Sequence, residues 1–232
     1  LDIEKNRMQF ILTDIEGSTT DINFVHKVLF PYAAEKLPAF VHANASDPAV
    51  AEALEQTKKT LLEENLPAES VDDLIKGLLS WIEADRKHPA LKNLQGLIWK
   101  DGYQSGGFKG HVYPDVVPAL ERWKQAGYGL GIYSSGSVAA QKLLFGNSEY
   151  GDLNGFFSHY FDTNVGHKRE VGSYQNIATQ LGLPPGEILF LSDVQEELDA
   201  AQAAGMQCLQ LLRLGTLPSM RHAGVGSFAE IE

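Results

Sequence analysis

The 232-residue chain is 44% hydrophobic, with 22 Gly, 10 Pro and a single Cys, which excludes a disulfide-stapled module and a disordered chain and implies a folded protein with a core. Nineteen Lys and Arg against 30 Asp and Glu set a formal charge of −11, a field that repels nucleic acid and anionic membrane. A small anionic substrate stays compatible with that charge, because a local metal ion, a lysine and backbone N–H groups outweigh the global field at short range.

Residues 1–7 read as a mixed-charge lead-in with no hydrophobic run. No signal peptide is therefore expected before Met8, and no stretch approaches the roughly 18 apolar residues of a membrane span. Residues 8–13 are mostly apolar and break into the polar Asp14-Ile-Glu-Gly-Ser-Thr-Thr20, the pattern of a buried strand running into a loop. From Asp21 to about Lys100 the patterning is helical, over 30–43, 48–62 and 71–86, with no strand. Residues 21–105 are therefore expected to form an inserted helical domain, with 1–20 and 106–232 as the core. Residues 101–110 hold four glycines and suit a hinge back into the core. Three more strand patterns follow: 129–133 ending in Ser134-Ser-Gly136, 188–191 ending in Ser192-Asp193, and 208–212. Residues 156–161, ending in Asp162-Thr163, make a fifth candidate. Helical patterns at 116–126, 138–145, 173–181 and 195–204 separate them, the last stopped by Gly205. Strand and helix in alternation predict an α/β fold, a Rossmann-like parallel sheet covered on both faces.

In such a sheet the ligand crevice lies outside the carboxyl ends of the strands. Asp14, Glu16, Ser134, Ser135 and Asp193 come from three strand ends, and Lys168 opens the helix after the fifth candidate. The carboxylates of Asp14, Glu16 and Asp193 offer the hard oxygens that Mg2+ prefers, with waters and a substrate phosphate completing its shell. With its charge screened, one aspartate can attack a phosphoryl group in line. Ser134 or Ser135, Gly136 and Lys168 suit clamps for the charge on the transferring group. Each feature alone has a blander explanation: a turn or cap for Asp14 and Glu16, an N-cap for the serines, surface charge for Lys168, a helix-dipole partner for Asp193. Four separate elements placing polar groups at one edge weigh against all of these together.

Other chemistries find no support. The seven histidines show no zinc spacing, and only His26 and His111 are kept in view. Gly127-Tyr-Gly-Leu-Gly131 lies before and within a strand and opens no helix, so it is no dinucleotide loop. Neither a P-loop nor a G-x-S-x-G elbow is present. Cys208 sits in the apolar run 206–212; no intrachain disulfide is possible, a buried packing role is expected, and a reducing compartment fits.

The motifs run in the order strand-Asp14-x-Glu16-Gly-Ser-Thr, helical insertion, strand-Ser134-Ser-Gly, Lys168 and Leu191-Ser-Asp193-x-x-x-Glu197. This order resembles the haloacid dehalogenase superfamily of phosphotransferases. At finer grain, Asp14-Ile-Glu-Gly-Ser-Thr-Thr-Asp-Ile-Asn-Phe-Val-His26, Leu29-Phe-Pro-Tyr32, Gly110-His-Val-Tyr113, Val165-Gly-His-Lys168 and Phe190-Leu-Ser-Asp-Val194 are similar to the acireductone synthase family, the enolase-phosphatases of methionine salvage. The likeness covers about residues 8–215.

The resemblance implies a haloacid dehalogenase-type core with the insertion as a helical cap domain. It implies a bifunctional enzyme that enolises 2,3-diketo-5-methylthiopentyl-1-phosphate and then hydrolyses its phosphate, giving the acireductone 1,2-dihydroxy-3-keto-5-methylthiopentene. Mg2+ is the only cofactor implied. The expected partner is that small phosphorylated diketone, acted on by a cytoplasmic monomer with no nucleic-acid or membrane partner. In the family's terms Asp14 is nucleophile and metal ligand, Glu16 holds the metal and acid/base position, and Asp193 is a further metal ligand. Ser134, Ser135 and Lys168 match the substrate-phosphate positions, Lys168 counting among the catalytic ones.

Most superfamily phosphatases carry Asp at the place of Glu16, and the acireductone synthases share the Glu. A carboxylate one methylene longer could reach a substrate carbon as a base, so Glu16 or a hydroxide on the metal is the expected base for enolisation. Ser18 stands where Thr is expected and keeps the hydroxyl. Glu196 and Glu197 both suit the acid beyond Asp193, and spacing does not choose. The insertion is expected to close over the site and exclude water, hinged at 102–110. Two rival readings are another phosphatase, phosphomutase or dehalogenase of the superfamily, and a non-enzymatic receiver-type module. The first differs in not enolising the diketone; the second has no place for a helical insertion after its first strand.

Overall fold

The structure is a computed structural model that describes residues 8–232; the lead-in reading of residues 1–7 lies outside the described residues. Phe10–Thr13 forms strand β1, buried along its whole length. A strand with no solvated face reads as a continuous apolar run, which is why residues 8–13 show no alternation. The chain divides into two compact units, one ending at Ile22 and resuming at Lys109, the other Asn23–Phe108.

In the Asn23–Phe108 unit, the short helix α1 (Ile22–Phe24) leads through a π-helical stretch, Val25–Leu29, into α2 (Phe30–Asn44). Pro31 has no N–H to give the Lys27 carbonyl, and the Phe30 N–H reaches back five residues to Val25 instead. Helices α3 (Pro48–Glu63), α4 (Val71–Glu83) and α5 (Pro89–Gln104) follow. Asp47 caps α3 ahead of Pro48, and Ser70 caps α4 in a reciprocal box with Asp73. Their apolar stripes meet in one core around Leu37, Val41, Leu61, Leu78 and Leu94. Helix α5 is absent from the three helices read in the sequence. Gly96 and the charges of Lys92, Lys100 and Asp101 blur its periodicity, although Pro89 marks its start.

The other unit continues with α6 (Val116–Gln125), β2 (Gly129–Tyr133), α7 (Val138–Gly146), β3 (His159–Phe161), α8 (Val171–Leu181), β4 (Ile188–Ser192), α9 (Gln195–Ala203), β5 (Gln207–Leu211) and β6 (Gly224–Val225). The strands form one six-stranded sheet in the order β3-β2-β1-β4-β5-β6, every pairing parallel. This is the α/β, Rossmann-like arrangement expected from the alternation, with the two-residue β6 added at one edge. Phe10, Leu12, Tyr133, Tyr174, Ile177, Phe190 and Leu198 pack together on one face of it. Gly129 and Gly131 have their own reason in this packing: a Cβ on either would lie 2.4 or 2.8 Å from the Phe10 ring.

Cys208 is half-buried rather than fully buried; it packs against the core of this face, its Sγ 3.5 Å from the Leu198 carbonyl of α9. Among the described residues no helix is long and apolar enough to cross a membrane. Chain order reverses direction at β1 and β4, so the switch point of the sheet lies between the strands that end at Asp14 and Asp193.

Candidate active site

Asp14 follows β1 directly, its N–H bonded to the Leu191 carbonyl of β4 at 2.9 Å. Only 2% of it is exposed, and its Oδ1 accepts the Ile15 N–H at 2.8 Å. The turn beyond is tight: the Ile15 carbonyl takes the N–H groups of Ser18, Thr19 and Thr20 at 3.1, 3.0 and 2.9 Å. Gly17 makes this possible with φ +76°, and a Cβ there would stand 2.4 Å from Asp193 Oδ2. The two acidic loops therefore touch backbone to carboxylate.

Lys168 lies in the turn before α8, not on the helix as its pattern suggested, and is buried. Its Nζ is 2.6 Å from Asp14 Oδ1 and 2.7 Å from Glu197 Oε2. Glu197 Oε2 also accepts the Ser192 hydroxyl at 3.0 Å. Burial would lower the Lys168 pKa, but the carboxylates of Asp14 and Glu197 outweigh it and hold the ammonium charged well above its ordinary range. The Lys168 turn is pinned from beneath by two tyrosines: Tyr174 donates to the Lys168 carbonyl at 2.6 Å, and Tyr133 to that of Gly166 at 2.9 Å.

Asp193 opens the loop after β4. Burial, then the negative charge of Asp14, push its carboxyl up to about 7, and burial with Asp14 also raises Glu197. Its Oδ1 is buried without a hydrogen-bond partner. Around one ammonium stand three carboxyl groups, Asp14, Asp193 and Glu197, more acid than one positive charge balances once they ionise. An orphaned carboxyl oxygen among clustered acids with a single cation fits a divalent cation, which would ionise them. Among the described residues no three His, Cys, Asp or Glu side chains form a cage by themselves. Mg2+ keeps several positions for water and phosphate, so an arrangement looser than a closed protein cage suits it.

Ser134, 2% exposed, ends β2; its hydroxyl accepts the Gly136 N–H at 3.2 Å. Ser135 beside it is half-buried. Glu16 is half-buried in the first loop and adds its negative charge to the field at Asp193. The structure thus brings Asp14, Lys168 and Asp193 into one charged cluster with Glu16 at its edge, and places Ser134 and Ser135 on the neighbouring strand end. No hydrogen bond links Ser134 to Asp14. Of the two glutamates that spacing left open, Glu197 is buried on Lys168 and Glu196 faces solvent. Ser192, which orients Glu197, was missed; its only signal was a small polar residue closing an apolar strand. His111 accepts the Asp21 N–H through Nδ1 at 3.1 Å, and His26 lies exposed against Phe30.

The model of the haloacid dehalogenase-like hydrolases matches residues 8–205. The chain is 56% identical over 221 residues to a protein of Erwinia tasmaniensis named Enolase-phosphatase E1, covering 95% of each. A protein of the same name from Pseudomonas fluorescens is 54% identical over 225 residues, 97% of each. The crystal structure of the UTR4 protein of Saccharomyces cerevisiae is similar with a TM-score of 0.82 at 36% identity, over 96% of this chain and 99% of that one. CbbY from Rhodobacter sphaeroides, solved with phosphate, shares the fold at a TM-score of 0.62 and 16% identity, over 97% of this chain and 96% of that one.

Proposed function

The chain belongs to the haloacid dehalogenase-like hydrolase family, and we infer that it is an enolase-phosphatase converting 2,3-diketo-5-methylthiopentyl-1-phosphate to the acireductone and inorganic phosphate in methionine salvage. The observation that carries the chemistry is the buried cluster of Asp14, Lys168, Glu197 and Asp193 at the switch point of the sheet.

Asp14 is the nucleophile. Lys168 and the Ile15 N–H both bind its Oδ1, which leaves Oδ2 for the phosphorus. As the new O–P bond forms, the bond to the substrate oxygen breaks and an aspartyl phosphate results; water then attacks that phosphorus, restores the carboxylate and releases phosphate. Glu16 is the acid/base. In the enolisation it takes the proton alpha to the carbonyl and passes it to the enol oxygen; recharged by a solvent proton, it then protonates the leaving oxygen, accepts a proton from the attacking water and returns that proton to solvent. Ser134 already accepts from Gly136, so its own proton is available to a phosphate oxygen, with Ser135 beside it and Lys168 neutralising the developing charge. Asp14, Glu16 and Asp193 would hold Mg2+, which when bound supplies the positive charge that screens the phosphate and polarises the diketone. Glu197 fixes Lys168 and does not itself meet the substrate.

The insertion serves as the cap that excludes water while the enediol is exposed. The chain works as a monomer in the cytoplasm, a reducing setting that suits its one cysteine, whose thiol burial pushes up to about 12.

Turnover of the diketo phosphate, or its desthio analogue, against a panel of simple phosphate esters tests this function. Formation of the enediol product together with phosphate, with the esters hydrolysed much more slowly, is the expected result. Comparable hydrolysis of the esters without any enolisation would make the chain a general phosphatase and overturn the reading.

A further inference from the structure

The segment after β5 supplies no group that the reaction uses, yet two side chains from it and from β5 hold both acidic loops. Arg213, whose side chain is 8% exposed, donates from Nε and Nη2 to the Ser18 carbonyl at 3.1 and 3.0 Å. The same guanidinium forms a fork with Asp115, Nη1 to Oδ1 at 3.0 Å and Nη2 to Oδ2 at 2.9 Å. Nη1 also reaches the Gly226 carbonyl at 3.3 Å, and the cation lies 4.1 Å from the centroid of the Tyr113 ring. Asp115 is fixed in turn by the Phe228 N–H at 2.7 Å. From β5, the buried Gln210 donates to the Asp193 carbonyl at 2.9 Å, and its Oε1 accepts the Ser219 N–H at 2.7 Å.

Ser18 is the residue after Gly17, the point at which the first acidic loop leaves no room for a methyl group against the Asp193 carboxylate. Within the loop the Ile15 carbonyl collects three N–H groups, so the turn moves as one piece. From outside, Arg213 grips that piece at the Ser18 carbonyl, while the Thr19 carbonyl takes the Tyr113 N–H at 2.9 Å and the Thr20 hydroxyl donates to the His111 carbonyl at 2.9 Å. A guanidinium can serve a carboxylate and a carbonyl at once because its donors form a rigid planar fork; an ammonium cannot reproduce both contacts.

We propose that Arg213 is a positioning residue for the reaction: braced by Asp115, it fixes the Ser18 carbonyl and so sets the Asp14–Glu16 turn against Asp193. Gln210 holds the opposite side of the same gap. Arg213 touches neither substrate nor reacting atoms, and its effect passes through the placement of Asp14. The inference rests on Asp14 as nucleophile.

The test uses the whole enzyme and a series of variants. Arg213→Lys lowers kcat for phosphate release about tenfold while KM stays within about twofold, since misplacement by a fraction of an ångström slows chemistry more than binding. Asp115→Asn acts in the same direction, and the double variant is no slower than Arg213→Lys alone, because both work through one carbonyl. Arg213→Ala loses about a hundredfold, and millimolar guanidinium restores part of that rate. Without substrate, Mg2+ binds more weakly to Arg213→Lys in calorimetry. A Lys variant that melts earlier yet keeps wild-type kcat and Mg2+ affinity overturns the proposal. Where Arg213→Ala does not fold, Arg213→Lys decides; where it folds and guanidinium gives no recovery, the proposal also fails. An Asp14→Asn enzyme that still releases phosphate would defeat the nucleophile reading instead, whatever Arg213 does.

Discussion

Asp193 retains its proton to about pH 7 in the folded protein because it is buried beside Asp14, whereas in the unfolded chain it ionises near 3.8. Between those values the native state binds more protons than the unfolded state, so its contribution to stability falls as pH rises from about 4 to 7. The metal-free protein should therefore show a steeper loss of Tm over that interval than Asp193→Asn; equal slopes would contradict the raised value. Mg2+ needs the ionised carboxylate, so its binding near pH 6 should release protons, seen as a calorimetric heat that varies with the ionisation enthalpy of the buffer. Lys168→Met leaves Asp14 and Glu197 buried without their cation, at a cost of about 3–5 kcal/mol in urea unfolding. Glu197→Gln weakens the same cluster by about 1–3 kcal/mol, while Glu196→Gln at the surface stays within about 0.5 kcal/mol.

Strand β2 shows how an element carries a constraint that its pattern does not advertise. Gly129 and Gly131 lie under Phe10, so Gly131→Ala should overpack the sheet by about 1–3 kcal/mol, measured by denaturant unfolding. In the inserted unit, Ser70→Ala removes the cap of α4 at about 1 kcal/mol and leaves kcat unchanged. The core elements were legible because each strand between Phe10 and Leu211 is a short apolar run broken by turn residues, and each following helix carries its own start or stop signal. The weaker elements were not. Helix α5 carries a glycine and charges through its middle, and β6 is a strand only because Gln210 and Leu212 offer it a ladder.

At the scale of the whole chain, the same parallel order that buries β1 and β4 side by side delivers Asp14 and Asp193 to one edge. Polar residues at strand ends therefore mark that edge in the sequence, and the fold brings Lys168 from a separate turn onto Asp14 there. What spacing could not show were contacts made in three dimensions: the choice of Glu197 over Glu196 turns on which side of α9 faces Lys168. The grip of Arg213 on Ser18 joins residues 195 positions apart, and no local pattern encodes it.

Proton NMR in D2O separates the two sequential steps of the one site, in which Asp14 is the nucleophile only in the second. The diketo phosphate, or its desthio analogue, is followed with Mg2+ beside a phosphate assay, for the wild-type enzyme and for Asp14→Asn. Wild-type enzyme should form the enol and then release phosphate, while Asp14→Asn, whose amide oxygen still serves the metal, exchanges the alpha proton for deuterium and releases none. Phosphate release by Asp14→Asn at the wild-type rate, or release by the wild-type enzyme with no enolisation at all, would contradict that assignment.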